Sequence, residues 1–227
     1  SSAASDVYKR QVDNSTTYGT AVAYTPDMGY LVSDAGAGIL YRYGYDDTNG
    51  TYSVGETITE GTSFGTKIVY GNNIYVVSEP TSGTPTVYVY TLNNSILSDD
   101  IVSYQTIAAP MGVTNWGTEL AISDDTNWIY ISDLTNGKVY VYRKQNINLT
   151  AEYLVQNQTY VITSVGDTDF VADFGAIENS VGITFVANAN GVPGSSGTGT
   201  AMQVTYEQST IIDGSVQGLV SADGFAK

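Results

Sequence analysis

The sequence predicts an all-β fold, and within it a β-propeller of four imperfect four-stranded blades. Three observations predict it. Tyr, Val, Ile and Thr fill the apolar stretches, with 19 Tyr among 227 residues, and these types fit a pleated, half-buried strand. Gly (24 in all), Asn and Asp punctuate those stretches as turn residues, and no long window shows helical periodicity. An aromatic-Gly pair then recurs with its surroundings, at Tyr18-Gly19, Phe64-Gly65, Trp116-Gly117 and Phe174-Gly175. The intervals are roughly 50 residues, about one propeller blade.

Each unit repeats the same parts in order. The pair leads into an apolar run, as in Ala21 to Tyr24, IVY after Lys67, or Leu120 to Ser123. A tight turn follows (TPDMG, GNN or DDTN), then a second run ending in a small or polar residue: YLVS, YVVS, IYIS and TFVA. After a Gly-bearing loop comes a third run rich in Tyr: LYRY from 40, VYVY from 87, VYVY from 139 and VTY from 204. A fourth stretch closes the unit, as in ETI (56–58), VSYQTI (102–107) or TYVITSV (159–165).

Four short strands in a meander make a small twisted sheet that cannot bury both faces alone. Stacking such sheets around an axis buries them. The anchoring aromatic is expected in the gap between neighbouring sheets, where a large ring contributes most. The glycine is expected to allow a bulge or close approach where the inner strand begins. Tyr41, Tyr43, Tyr88, Tyr90, Tyr140 and Tyr142 alternate along the third strands, as residues packed between blades do.

Aromatic-Gly-Thr, a short hairpin and VYVY together resemble the FG-GAP repeat of integrin-α-type propellers, especially its bacterial and phage versions. The resemblance covers residues 18 to about 165 well and runs more weakly to about 212. Where that family carries Gly-Ala-Pro, this chain has Ser33-Asp34-Ala35, Ser78-Glu79-Pro80 and Ser132-Asp133-Leu134. The resemblance implies a non-enzymatic protein, extracellular, on a cell surface or in a virion such as a phage tail. Its role would be adhesion, binding or assembly with a protein or glycan surface as partner. The alternative is part of a glycan-cleaving enzyme, either a propeller glycosidase or a propeller beside a catalytic domain.

Both ends suggest a part of a larger, open propeller. DVYKRQ (6–11) back-translates to a run resembling a sequencing-library transposase adapter, so residues 1–11 read as a non-native leader on a chain translated from environmental DNA. Residues 12–227 then hold the repeats, with a possible fifth beginning near Phe225.

Charge and composition exclude several functions. Eight basic residues against 23 acidic give a net charge of −15, which disfavours nucleic acid and anionic membranes. No apolar run is long enough to insert in a membrane. With no Cys and no His, thiol nucleophiles, the usual zinc sites and histidine acid–base chemistry are absent. No catalytic residues, metal ligands or cofactor are expected, Ca²⁺ being the one ion that the oxygen-rich stretches Asp124-Asp125-Thr126-Asn127 and Asp167-Thr168-Asp169 with Asp173 would take. Neither has the Asp-x-Asp-x-Asp-Gly form, and Asp and Asn commonly cap tight turns. The sialidase-type signature Ser-x-Asp-x-Gly-x-Thr-Trp is absent, and GVPGSSGTGT (191–200) lacks the helix and Lys of a phosphate loop.

Overall fold

A computed structural model describes residues 16–25, 29–81, 83–94 and 99–217. The leader (1–11), most of the first turn and Phe225 lie outside the described residues. Among the described residues the chain is nearly all strand, and no helix is long and apolar enough to cross a membrane.

The first sheet has the order β1 (Tyr18–Tyr24), β2 (Tyr30–Asp34), β3 (Ile39–Asp46) and β4 (Thr51–Thr59). The second is β5 (Ile68–Gly71), β6 (Ile74–Glu79), β7 (Thr86–Asn94) and β8 (Asp99–Ala108). Both are antiparallel meanders. The first strands, β1, β5 and β9 (Trp116–Ile122), approach one another and so form the inner edge of the arc. The all-β, partial-propeller fold read from the sequence is the fold observed, but among the described residues it is built as three sheets of four, four and six strands, not as four four-stranded blades.

The aromatics of the second and third units lie between neighbouring sheets, whereas Tyr18 packs on its own sheet. Phe64 and Trp116 are fully buried. Phe64 lies among Ala23, Leu31 and Leu40 of the first blade and Ile68, Tyr75 and Val77 of the second. Trp116 lies among Val76, Val87 and Val89 of the second blade and Leu120, Ile129 and Ile131 of the third. Each anchor also meets the paired tyrosines of its own third strand. Phe64 is 5.2 Å from Tyr88 and 6.4 Å from Tyr90, edge-on, and Trp116 is 4.8 Å from Tyr140 and 6.3 Å from Tyr142. Tyr18 lies 5.7 Å from Tyr41 and places its hydroxyl 2.6 Å from that of Tyr43.

The third sheet differs. It has six strands, ordered β13 (Thr184–Val186), β12 (Thr159–Ser164), β14 (Thr200–Asp213), β11 (Lys138–Thr150), β10 (Trp128–Asp133) and β9. β11 and β14 form one long hairpin, paired from Lys138↔Asp213 to Thr150↔Thr200. Its bulge shows where the blade lies. In the first blade the register of β3 on β4 slips between Arg42 and Tyr43, in the second that of β7 on β8 slips between Val89 and Tyr90. In the third it slips between Val141 and Tyr142, with β14 as partner. The extra residue on the fourth strand is Gly55, Tyr104 or Ser209 in turn. The second half of β14 is therefore the fourth strand of the third blade. TYVITSV (159–165), expected in that role, instead pairs with β13 and the first half of β14.

Everything between the two halves of that hairpin is an insert with its own core of Tyr160, Ile162, Phe170, Phe174, Phe185 and smaller residues. Phe174 does not begin an inner strand. It ends the short helix α1 (Phe170–Phe174), which Asp169 caps by accepting from the Ala172 N–H at 3.1 Å. Gly175, at φ +75°, closes that helix with its N–H turned to the Phe170 and Val171 carbonyls. A left-handed glycine serves a helix end as readily as a bulge, and IENS, which follows, has no apolar run to build a strand.

One polar spot lies beside the gap between the first two blades. Glu79 is 3% exposed, and the Tyr88 hydroxyl donates to its Oε2 at 2.6 Å. Partial burial first, and the Glu79 carboxylate second, hold the Glu60 carboxyl above its ordinary range.

Two predictions follow from this packing. Gly65 and Gly19 share a left-handed φ, +84° and +83°. A Cβ on Gly65 would stand 2.4 Å from the Ser33 Cβ, whereas one on Gly19 meets nothing within 4 Å. Gly65→Ala should therefore destabilise by at least about 1 kcal/mol more than Gly19→Ala in paired denaturant titrations; equal losses would refute the close approach. For Glu60, a raised folded pKa means that the native state holds the proton more tightly, so stability falls as pH rises through the carboxyl range. Glu60→Gln should melt above the wild type at pH 7, with the advantage shrinking toward about pH 4, near the unfolded carboxyl pKa. A lower melting point for the variant at pH 7 would contradict this.

Candidate functional site

The entry to each inner strand is built the same way three times. Thr20, Thr66 and Thr118 follow the anchor glycines, and their hydroxyls donate back to the carbonyls of Thr17, Ser63 and Asn115 at 2.5, 2.7 and 3.2 Å. Gly19, Gly65 and Gly117 have φ of +83°, +84° and +74°, which lifts the strand start off the regular ladder. A serine of the second strand then takes the displaced N–H. Ala21 donates to Ser33 Oγ at 3.0 Å, Lys67 to Ser78 Oγ at 3.1 Å and Glu119 to Ser132 Oγ at 2.8 Å. Ser33 and Ser78 are fully buried and Ser132 nearly so. Ser33 Oγ also donates to the Gly65 carbonyl at 2.7 Å, joining the first blade to the second.

Positions 21, 67 and 119 are thus equivalent, and the side chains of the last two meet at one mouth of the inner edge. Their backbones are held by buried serines, while Lys67 and Glu119 remain open to solvent. Lys67 Nζ lies 2.7 Å from Glu119 Oε2, with 38% and 63% of the side chains exposed. An ion pair this exposed contributes only about 0–1 kcal/mol to stability. Its chemistry is of more consequence: a carboxylate that can take a proton from water, beside an ammonium that can face developing negative charge. Neither residue stood out in the sequence. The signal was there only after the repeats were aligned, as the one position behind Gly-Thr that changes from Ala to Lys to Glu.

The candidate carboxylates of the sequence do not converge here. Asp125 caps its own turn, accepting from the Ser123 hydroxyl at 2.5 Å and the Asn127 N–H at 3.0 Å, and those bonds hold its pKa down. Asp167 accepts from the Thr198 N–H and hydroxyl at 2.5 and 2.8 Å, with the same effect. Asp169 accepts from Asn179 Nδ2 at 2.7 Å besides capping α1, and its pKa is lowered by both. Among the described residues no three such groups gather as metal ligands. Asp34 and Asp133, buried at the ends of β2 and β10, cap the following turns through the N–H groups of Ala37 and Asn136 at 3.2 and 3.1 Å. Tyr18-Gly19, Phe64-Gly65 and Trp116-Gly117 lead into the inner strands, whereas Phe174 lies in the core of the insert and Gly175 ends its helix at an exposed position.

The family model described as "Lactonase, 7-bladed beta-propeller" matches residues 20–163. No curated protein matches the chain. Among solved structures, a candidate 6-phosphogluconolactonase from Bacteroides fragilis aligns at 9% identity over 55% of this chain and 34% of its own, with a TM-score of 0.45. A protein from Lactobacillus plantarum aligns at 13% identity over 80% of this chain and 57% of its own, with a TM-score of 0.44. The periplasmic gluconolactonase PpgL of Pseudomonas aeruginosa aligns at 10% identity over 83% and 43%, with a TM-score of 0.39. The chain spans about a third of the length of the Bacteroides protein.

The family match corrects the functional reading of the sequence. Aromatic-Gly-Thr and VYVY belong here to a lactonase-type repeat, not to FG-GAP. The non-enzymatic role in adhesion or virion assembly, and the extracellular or virion placement, rested on the FG-GAP resemblance and fall with it. The aromatic-Gly step is a general way of entering a blade, so it marks propellers more broadly than one repeat family. With residues 20–163 matched, more than half of its length, the chain belongs to the lactonase family of 7-bladed β-propellers.

Proposed function

We propose that the mouth at Lys67 and Glu119 hydrolyses the ring ester of a sugar lactone. The observation that carries this reading is the 2.7 Å carboxylate–ammonium pair, held at equivalent, solvent-open positions of neighbouring inner strands. The family supplies the reaction class.

Of the two side chains, the Glu119 carboxylate is the one that can accept a proton. Glu119 takes a proton from water as the water oxygen bonds to the lactone carbonyl carbon. The carbonyl oxygen becomes an oxyanion, and the Lys67 ammonium faces it, which favours the charged intermediate over the ground state. The intermediate collapses by breaking the bond to the ring oxygen, which leaves as an alkoxide and takes the proton back from Glu119. The product is the open-chain hydroxy acid. The serine clamps at Ser78 and Ser132 fix the backbone beneath both groups, so neither moves with a loop.

The test is hydrolysis of glucono-δ-lactone in a pH-stat, corrected for spontaneous opening. Glu119→Gln should lower kcat by about 10²-fold or more, the usual loss for a general base. Lys67→Met should also lower kcat, and for 6-phosphoglucono-δ-lactone it should raise KM as well if the ammonium also holds the phosphate. A wild-type rate no faster than the spontaneous one, or full activity in Glu119→Gln, would sink the proposal.

A further inference from the structure

The long hairpin of β11 and β14 carries the insert outward and lays it beside β8, the outer strand of the second blade. The seam between them opens into a cleft of about 440 Å³, remote in sequence and in blade position from the mouth. Nine residues line it and none is charged, on a chain whose net charge is −15. Its floor is fixed by cross-ties. Thr159 Oγ1 donates to the Ser103 carbonyl at 2.6 Å. Gln105 grips the backbone of Tyr206, donating from Nε2 to its carbonyl at 2.9 Å and accepting its N–H at Oε1 at 2.6 Å.

Over this floor stand Thr106, Asn157 and Thr205, whose hydroxyl and amide groups have no protein hydrogen-bond partner among the described residues. Beside them Tyr104, the bulged residue of β8, and Val186 add apolar surface. A second hollow of about 340 Å³ shares Ser103 and Val186 with the first and is lined by Ile101, Ile177 and Phe185. The two make one groove, polar along one stretch and apolar along the next.

That lining selects by chemistry. An anion finds no cation in it, and a cation no carboxylate. A peptide strand adding to the edge of β8 would need the Ser103 carbonyl, which Thr159 already occupies. Unpaired hydroxyls and a primary amide offer both donors and acceptors, and the apolar stretch suits the C–H face of a pyranose ring. We infer that this cleft binds a short neutral oligosaccharide, through Thr106, Asn157 and Thr205.

The experiment is a titration of ¹⁵N-labelled protein with cellotetraose and maltotetraose, and with tetragalacturonate and a capped (Thr-Val)₃ peptide as controls. Amide shifts concentrated at 103–106, 157–159 and 205, with at least one neutral tetrasaccharide and neither control, are expected. No response to either neutral tetrasaccharide overturns the proposal, as does a stronger response to tetragalacturonate or the peptide. Asn157 has φ +65°, a backbone that glycine adopts freely. Asn157→Gly therefore removes the amide without straining the fold and should weaken binding about 3- to 10-fold, the range for one lost hydrogen bond. Thr106→Val should do likewise, and unchanged affinity in both variants overturns the assignment.

Discussion

The arc depends on how the chain enters each blade. Behind a buried aromatic the backbone passes through a left-handed glycine, and the N–H two residues on loses its place in the strand ladder. A buried N–H left without a partner costs about 1–3 kcal/mol. Ser33, Ser78 and Ser132 remove that cost, each with an Oγ at about hydrogen-bond distance from the displaced N–H. The same step seats the aromatic against the two tyrosines of the third strand. In the second and third units it also lets the new strand press on the previous blade, where a Cβ on Gly65 or Gly117 would meet Ser33 or Val87 at 2.4 and 2.8 Å. One local geometry thus sets packing within a blade, packing between blades and the orientation of the mouth.

Much of the fold could be read from residues because this step leaves a mark at each use. Aromatic, Gly and Thr are all required together, the aromatic by the gap, the glycine by its φ and the threonine by its bond to the carbonyl three residues back. Phe174-Gly175 shows the limit of that signal. There the glycine ends a helix, and Ala176 stands where the other units have Thr. Asp169 five residues before Phe174, in a helix N-cap position, was the available sign of a helix. The split of the third blade was harder to see. Its outer strand begins more than fifty residues after its partner, so VTY at 204–206 read as the third strand of a new unit. Only the bulge opposite Tyr142, matching those opposite Tyr43 and Tyr90, assigns β14 to the blade.

The site was less legible than the fold, for a physical reason. Fold signals repeat, because the same packing problem is solved in each blade. A side-chain pair at a site needs to occur only once, so Lys67 and Glu119, the candidate pair, read in the sequence as ordinary charged residues at a strand start. The acidic composition adds to this, since 23 carboxylates offer many false candidates. Among those that cluster in sequence, at 124–125 and 167–173, Asp125, Asp167 and Asp169 are employed by turns and a helix cap. Glu119 is separated from its partner by about fifty residues and is brought to it only by the stacking of two blades.

The insert shows which parts of such a blade are free to change. A residue added near the inner strand would shift the serine clamp and the mouth with it. The outer hairpin carries no such constraint: β11 and β14 continue pairing beyond the blade, through Thr150↔Thr200, with the ladder hydrogen bonds satisfied along the way. The added chain then needs apolar contacts of its own, and Phe170, Phe174, Phe185 and Tyr160 provide them. What remains between insert and blade is a seam whose hydrogen-bonding groups are only partly used by the protein. A surface that the fold does not require to be filled is where a second ligand can be accommodated without altering the inner strands. In this chain the serine-clamped inner edge and the extended outer hairpin therefore offer different surfaces, one carrying the Lys67–Glu119 pair and the other the open seam.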